Sequence, residues 1–390
     1  MTSTIKAAGP AHFLALIPGL LGFVPRRSVV LMPFDGRSSL GAMRLDLPSA
    51  ALADETERIA SDFIGLICRI PDADGFAMVT YTDAALRSVG EDALPYHALA
   101  DALLDRADAC GLRVVDLLCV ARDGWGSYYD PGDAHPLDEV AGLAKDAGLP
   151  PAAGDQTTGT RLPRVAAAER EQVAHALGSI RAASLALLHG EVPGHPPRAR
   201  VDPLAIAALE VLDDLPGFLE RCLGEDPRRL DAYVAATLSW CLSQPGLRDV
   251  ALLGWTDGRA TGERALDAQL HWRGGAPYPP ELGLRLWGEG PRPDPDRLRR
   301  ALDLTRRVAA LTPAADRAHA LALCGWLSWA LGRSTHAGIY VERALRLDPR
   351  HVLAEIVGSF VVAGHLPDWA FQPARRPTGQ PSAPDTEGLT

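Results

Sequence analysis

Arg26, Arg27, Asp46, Asp83, Asp123, Trp125 and Tyr128 are the residues of this chain whose types and order could do chemistry together. Three carboxylates suit a hard divalent cation, an arginine pair suits a phosphate, and the aromatics suit a planar cationic ligand. A plainer reading of the same residues stands beside that one. Asp83 precedes a helical stretch and Asp123 begins an Asp-Gly turn, positions where aspartate commonly caps backbone amides. Trp125 and Tyr128 can simply cover a sheet edge, and Arg26-Arg27 can pair with Asp46 as an ion pair worth about 1 kcal/mol or less if exposed.

The elements that would gather these residues are legible in the first third of the chain. Residues 27 to 34, "RSVVLMPF", are β-branched and apolar, Asp35-Gly36 supplies a turn, and "LGAMRLDL" (40 to 47) returns as the second strand of a hairpin. In that return run Leu40, Ala42, Arg44 and Asp46 share one face, and Met43, Leu45 and Leu47 the other. Ile59, Phe63, Leu66, Ile67 and Ile70 make a helical stripe stopped by Pro71. A buried strand (75–82), a helix ending on Gly111 (91–111) and another strand (112–121) follow, giving β-β-α-β-α-β. Right-handed helical crossovers make strands 40–47, 75–82 and 112–121 parallel. Their carboxyl ends then share one edge, where open α/β sheets place ligands. The first hairpin strand runs antiparallel to them, so Arg26-Arg27 begins at that same rim.

Upstream, "AHFLALIPGLLGFV" (11 to 24) reads as a short amphipathic helix ending at Pro18. It is no secretory signal, because Pro18 and Gly19 interrupt the apolar run and no small-residue cleavage site follows. Downstream, 122–137 is rich in turn formers and reads as a structured loop, with a short helix near 137–148. A Pro/Gly/Thr segment then marks a boundary. Helices are expected at about 165–189, 201–223, 227–243, 295–311 and, in pieces, 315–364; "DVALLGW" (249–255) reads as one late strand and 271–283 as a long loop. The expected architecture is α/β (α+β overall): a mixed-sheet domain with flanking helices over 1–160, a mainly helical domain over 161–370, and a disordered tail over 371–390.

"AHALALCGWLSWALGRSTHAGIYVERALRLDPRH" (318 to 351) resembles a tetratricopeptide helical hairpin. Gly325, Gly332, Ala337 and Ala344 stand where that repeat keeps small residues, and Pro349 where it closes the second helix. Its aromatics are displaced to Trp326 and Trp329, and Ser328 replaces a usual tyrosine. One copy cannot build a solenoid, so an ordinary packed hairpin is the alternative.

With "LIPGLLGFVPRRSVVLMPFDG", "RLDLP", the strand ending "YTD", "DGWGSYYDP...HPL" and the closing "GWLSWALGRSTHAGIYVERALRLDP", the chain is similar to the actinobacterial family catalogued as domain of unknown function 4192. The resemblance covers nearly everything but the tail. Relatives often carry a cysteine in the loop after the Trp-Ser-Tyr element, and "YYDPGDAHPL" has none, which speaks against a metal or redox role for that loop. The family implies an architecture and no activity.

Composition narrows the function classes. Over 390 residues the formal net charge is −10, and lysine occurs only at Lys6 and Lys145. An acidic chain without a concentrated basic face argues against a nucleic-acid partner. No run reaches the ~20 apolar residues a membrane span needs, so no membrane partner is expected and the protein is placed in the cytoplasm. The six cysteines show no paired spacing and read as small buried hydrophobes in a reducing compartment. No phosphate loop, dinucleotide fingerprint, zinc-protease motif or nucleophile elbow occurs, so no cofactor or metal is assigned. The expected role is a non-catalytic interaction or regulatory module, with a protein partner on the helical half. The alternative is a ligand binder or enzyme working at the Asp46, Asp83, Asp123 rim.

Overall fold

The computed structural model describes residues 7–49, 55–87, 93–144, 149, 152–189 and 201–372. The chain divides into two compact units, Met1–Arg161 and Leu162–Thr390. In the first, strands β1 (Ser28–Asp35), β2 (Ser38–Ser39), β3 (Met43–Asp46), β4 (Gly75–Tyr81), β5 (Arg113–Val120), β6 (Trp125–Ser127) and β7 (Asp130–His135) form a mixed sheet. Its order is β2-β1-β4-β5-β6-β7, with β3 also on β1. β1 runs antiparallel to β3 and β4, and β4 parallel to β5, so β3, β4 and β5 share one direction.

Alternation along the strands assigns the two faces. Val29, Leu31, Phe76, Met78 and Leu117 pack under α2 (Thr56–Cys68) and α3 (His97–Ala109) through Phe63, Ile64, Leu99 and Leu103. Val30, Met32, Val79, Tyr81 and Leu118 pack against α1 (Pro10–Leu21), with Leu137, Val140 and Leu143 of α4 (Leu137–Ala144) at the margin. β4 is buried along its whole length, as a central strand covered on both faces must be.

Three expectations for this unit are corrected. The first helix does not end at Pro18: it runs through the proline to Leu21 and stops at left-handed Gly22 (φ 79°), whose N–H reaches the Pro18 carbonyl at 2.8 Å. Burial of Leu14 and Ile17 outweighs the one amide hydrogen bond that proline removes. The return run is no continuous strand. Ser38–Ser39 and Met43–Asp46 pair separately with β1, and Gly41 (φ 136°) lies between them. Residues 122–137 are not a loop but contain β6 and β7, which extend the sheet beyond β5. Pro131 and Gly132 disguise β7, yet an outermost strand tolerates a proline because, among the described residues, only one side of it pairs with another strand.

The second unit is helical among its described residues. Its helices are α5 (Ala167–His189), α6 (Pro203–Leu209), α7 (Leu215–Gly224), α8 (Ala232–Ser243), α9 (Pro245–Asp257), α10 (Arg259–Arg273), α11 (Pro280–Leu286), α12 (Pro295–Leu311), α13 (Arg317–Ala330), α14 (Ser334–Leu347) and α15 (Val352–Val362). The expected strand 249–255 is thus the body of α9. Val250, Ala251, Leu252, Leu253 and Trp255 are all essentially inaccessible, and α7, α8, α10, α11 and α12 surround them. A helix apolar on every side loses its 3.6-residue periodicity and reads like a buried strand. The expected loop 271–283 likewise holds the end of α10 and the start of α11.

α13, α14 and α15 pack in sequence. At Gly325 a Cβ would meet Val341 Cγ2 at 3.1 Å, so glycine lets α13 approach α14 without displacing that methyl. The chain then turns back: Trp369 and Phe371, in a short 3-10 turn (Asp368–Phe371), are buried. The rest of the expected disordered tail, 373–390, lies outside the described residues. Two cysteines also depart from expectation. Cys119, Cys222, Cys241 and Cys324 are buried, but Cys68 and Cys110 are exposed at helix ends, where they contribute little to either core.

Candidate functional site

The carboxyl ends of β3, β4 and β5 and the beginning of β1 lie at one edge, and α2 and α3 start there. Arg27 opens β1 in the left-handed region (φ 47°), and its carbonyl accepts from Leu47 N–H at 3.1 Å. The Arg26 peptide is held on both sides by one side chain. Its N–H donates to Gln156 Oε1 (3.1 Å) and its carbonyl accepts from Gln156 Nε2 (2.8 Å). Tyr96, just before α3, is the second left-handed non-glycine residue of this rim (φ 63°), and no side chain caps that helix. Partial burial raises the Tyr96 phenol pKa, and the nearby Arg27 guanidinium opposes the rise.

The three aspartates take three different partners. Asp46 Oδ1 meets Arg44 Nη1 at 2.7 Å, and the Arg44 side chain, only 8% exposed, also donates through Nε to Ser28 Oγ (2.7 Å). Asp83 Oδ1 faces Arg26 Nη2 at 3.6 Å, with both side chains mostly in solvent. Asp123 Oδ1 accepts from Leu86 N–H at 2.7 Å. The expected pairing of Arg26-Arg27 with Asp46 is therefore replaced. Local geometry explains the change: Arg44 lies two residues before Asp46 on the same face of β3, so its guanidinium reaches that carboxylate directly. Among the described residues no group of three His, Cys, Asp or Glu side chains could hold a metal ion.

The two aromatics of the rim point into the fold. Trp125 is buried on the α1 face and stacks on His135, with ring centroids 4.3 Å apart and planes at 16°. Tyr128 packs on the opposite face and donates its hydroxyl to the Pro95 carbonyl at 2.6 Å; burial pushes its phenol pKa well up. The rim thus brings Arg26, Arg27 and Asp83 together at the surface and leaves Asp46, Asp123, Trp125 and Tyr128 in local roles. Gln156, Ser28 and Tyr96 escaped the reading of the sequence. Gln156 lies 130 positions from its partner and carries no local signal. Arg44 did carry one, as an arginine two residues from Asp46 on the face it shares with Leu40 and Ala42. Asp83→Asn should shift the stability of this unit by less than about 1 kcal/mol in urea unfolding, because both partners are solvated.

The helical unit offers two surface features. A cleft of 340 Å³ lies between α10 and the start of α11, walled by Asp267, His271, Pro277 and Glu281. Arg264 approaches Glu281 at 3.9 Å there, while His271 Nδ1 is engaged by the Asp267 carbonyl at 2.7 Å. The second feature is the outward face of α15. Leu353, Ala354, Val357 and Phe360 point into the core, while Val352 (63% exposed) and Val362 (90% exposed) point away from it. Glu355 and Ser359 are exposed between them on that face, Ile356 is half-buried against the core, and Leu347 at the end of α14 is exposed as well. Among the described residues, the segment beyond α15 (363–372) does not cover this face: Trp369 returns to the Trp329 ring (centroids 6.3 Å) and to the Arg285 guanidinium (4.5 Å).

No helix among the described residues is long and apolar enough to cross a membrane. No curated protein and no solved structure matches the chain. One family model does, over residues 10–280 and 293–368, spanning the β1 rim and the helices through α15. The chain belongs to the family described as Domain of unknown function (DUF4192).

Proposed function

We propose that this protein is a non-catalytic interaction module of the cytoplasm, and that α15 receives an amphipathic helix of a protein partner. The observation that carries the reading is the outward face of α15, the last helix of the α13–α14–α15 series, where Val352 and Val362 stand exposed on either side of Glu355 and Ser359. Terminal helices of such stacks ordinarily turn a polar face to water, because nothing packs beyond them. Here the only charged residue of α15 is Glu355. Residues 373–390, "PARRPTGQPSAPDTEGLT", hold Leu389 as their sole large apolar side chain, so they are poorly suited to covering it. A helix with apolar residues at i, i+3/i+4 and i+7 would continue the series and bury those valines.

The test replaces Val352 and Val362 together by aspartate and compares affinity recovery from the source cells with wild type, using Trp272→Asp as a surface control. Both substituted valines are exposed, so folding should persist, as a thermal melt will verify. A helix-bearing protein recovered by wild type and the control but lost with the double variant supports the reading. Identical recoveries with all three proteins would end it.

A second reading, a small anion bound at the sheet rim, is favoured by the left-handed backbone of Arg27 and Tyr96, since strained non-glycine residues concentrate at working sites. A thermal-shift panel of divalent metals, phosphate and nucleotides on wild type and Asp83→Asn tests it. Releasing Arg26 should enlarge the anion response, and no shift in either protein would remove this reading.

A further inference from the structure

Cys68 is the last residue of α2 and Cys110 caps the C-terminus of α3. Both helices run from the Arg26 rim to the opposite edge of the sheet, and they pack on each other along the way. The segments that follow enter paired strands β4 and β5, with the Arg113 N–H on the Asp74 carbonyl at 2.9 Å, so two exposed cysteines 42 positions apart meet at one edge, near enough for the Cys110 thiol to act on the titration of Cys68. Four further cysteines serve as internal references, because they are buried and their thiols are shielded from reagents.

We propose that Cys68 and Cys110 are a thiol–disulfide site that closes on reaction with a small-molecule disulfide such as oxidised glutathione. Either thiolate attacks one sulfur of the reagent, forming a mixed protein–glutathione disulfide and releasing one glutathione. The neighbouring thiolate then attacks the protein sulfur of that mixed disulfide, forming the Cys68–Cys110 bond and releasing the second glutathione. One disulfide reagent is reduced to two thiols, the two cysteines are oxidised by two electrons, and reduced thiol in excess reverses both steps.

Partial burial first, and the Cys110 thiol second, raise the Cys68 pKa above the ordinary cysteine value. At neutral pH that thiol is thus mostly protonated, so the exchange should be slow and should accelerate with rising pH. Burial pushes the thiols of Cys119 up to about 11 and of Cys222 and Cys241 up to about 12, and that of Cys324 higher still. These four should stay reduced. The bond would staple α2 to α3 and restrict the unfolded chain between them, raising the melting temperature of the first unit by several degrees.

The experiment incubates the full-length protein with oxidised glutathione and follows intact mass, free thiols and disulfide-linked peptides. Wild type should lose two hydrogens and two accessible thiols, with Cys68 and Cys110 in one linked peptide and full reversal by dithiothreitol. Cys68→Ser and Cys110→Ser should each hold one glutathione instead. Wild type that accumulates glutathione on both cysteines, or links only between two chains, overturns the proposal. Phenylarsine oxide, which bridges neighbouring thiols, gives a readout on the unmutated protein: it should protect both cysteines together. Independent alkylation of either one in its presence would also count against the pair.

Discussion

Trp329→Ala should destabilise the helical unit by about 3–5 kcal/mol, the cost of emptying a fully buried indole site. Trp329 has no solvent exposure, and its ring lies among those of Phe360 (centroids 4.8 Å), His365 (5.9 Å), Trp326 (6.0 Å) and Trp369 (6.3 Å). Its Nε1–H donates to the His365 carbonyl at 2.7 Å. The loss therefore combines three costs. The apolar ring contacts disappear, a cavity opens between α13 and α15, and the His365 carbonyl loses its donor. The packing is tight on that side: left-handed Gly288 lies so close to the ring that a Cβ there would meet Trp329 Cη2 at 2.6 Å. Seven of the eight tryptophans lie in the second unit, so tryptophan fluorescence in urea follows that unit's transition. The midpoint should fall with little change in slope. A loss under about 1 kcal/mol would mean that the aromatic cluster repacks around the gap.

The second large effect is an acid-driven loss of stability between pH 6.5 and 4. His319 Nδ1 and His351 Nε2 are 2.9 Å apart, with ring centroids at 4.9 Å. His351 is buried and begins α15: its Nδ1 accepts from the Ala354 N–H at 3.3 Å. That bond assigns the proton to His351 Nε2, which donates to His319 Nδ1. Desolvation first, then the facing His319, lowers the His351 pKa to about 4, with Arg248 adding to the shift and Asp348 opposing it. Desolvation also lowers the His319 pKa; Asp348 and Asp316 oppose that shift, while Arg248 and Arg181 add to it.

A histidine whose folded pKa lies below its unfolded value stabilises the fold fully above the unfolded value, near 6.5. As pH falls from there toward the folded pKa, the unfolded chain takes up the proton first and stability drains away. For His351 the loss at pH 4.5 is roughly 2–3 kcal/mol. Structurally, a proton on Nδ1 removes the acceptor that caps α15, and a proton on His319 sets two donors face to face. His351→Asn keeps a capping oxygen but cannot titrate, so its stability should depend less steeply on pH across this window. Parallel wild-type and variant curves, from thermal melts at pH 7, 5.5 and 4.5, would contradict this assignment. Because α15 carries the proposed partner face, the same variant reports whether acid also weakens that interaction.

The continuous apolar runs at 28–34 and 75–81, the stripe of α2 and the glycine after α3 were enough to read the β-β-α-β-α-β path and the parallel direction of its three later strands. They also placed Arg26, Arg27, Asp46, Asp83 and Asp123 at one edge, because crossover handedness is a property of any L-chain. What local pattern could not carry was pairing chosen over distance. Asp46 is claimed by Arg44, Arg26 by Asp83 and Gln156, and Asp123 by the Leu86 amide. Each choice depends on which groups a strand register or a returning segment brings within hydrogen-bond reach. α9 was misread for the same reason: enclosure by five other helices erased the polar face that marks a helix in sequence. The meeting of Cys68 with Cys110, and of His319 with His351, likewise belongs to the packing of helix ends. Sequence by itself therefore determined the layers and the rim of this protein. Tertiary structure alone decided which side chains hold each other there, because those partners are set by packing between segments far apart along the chain.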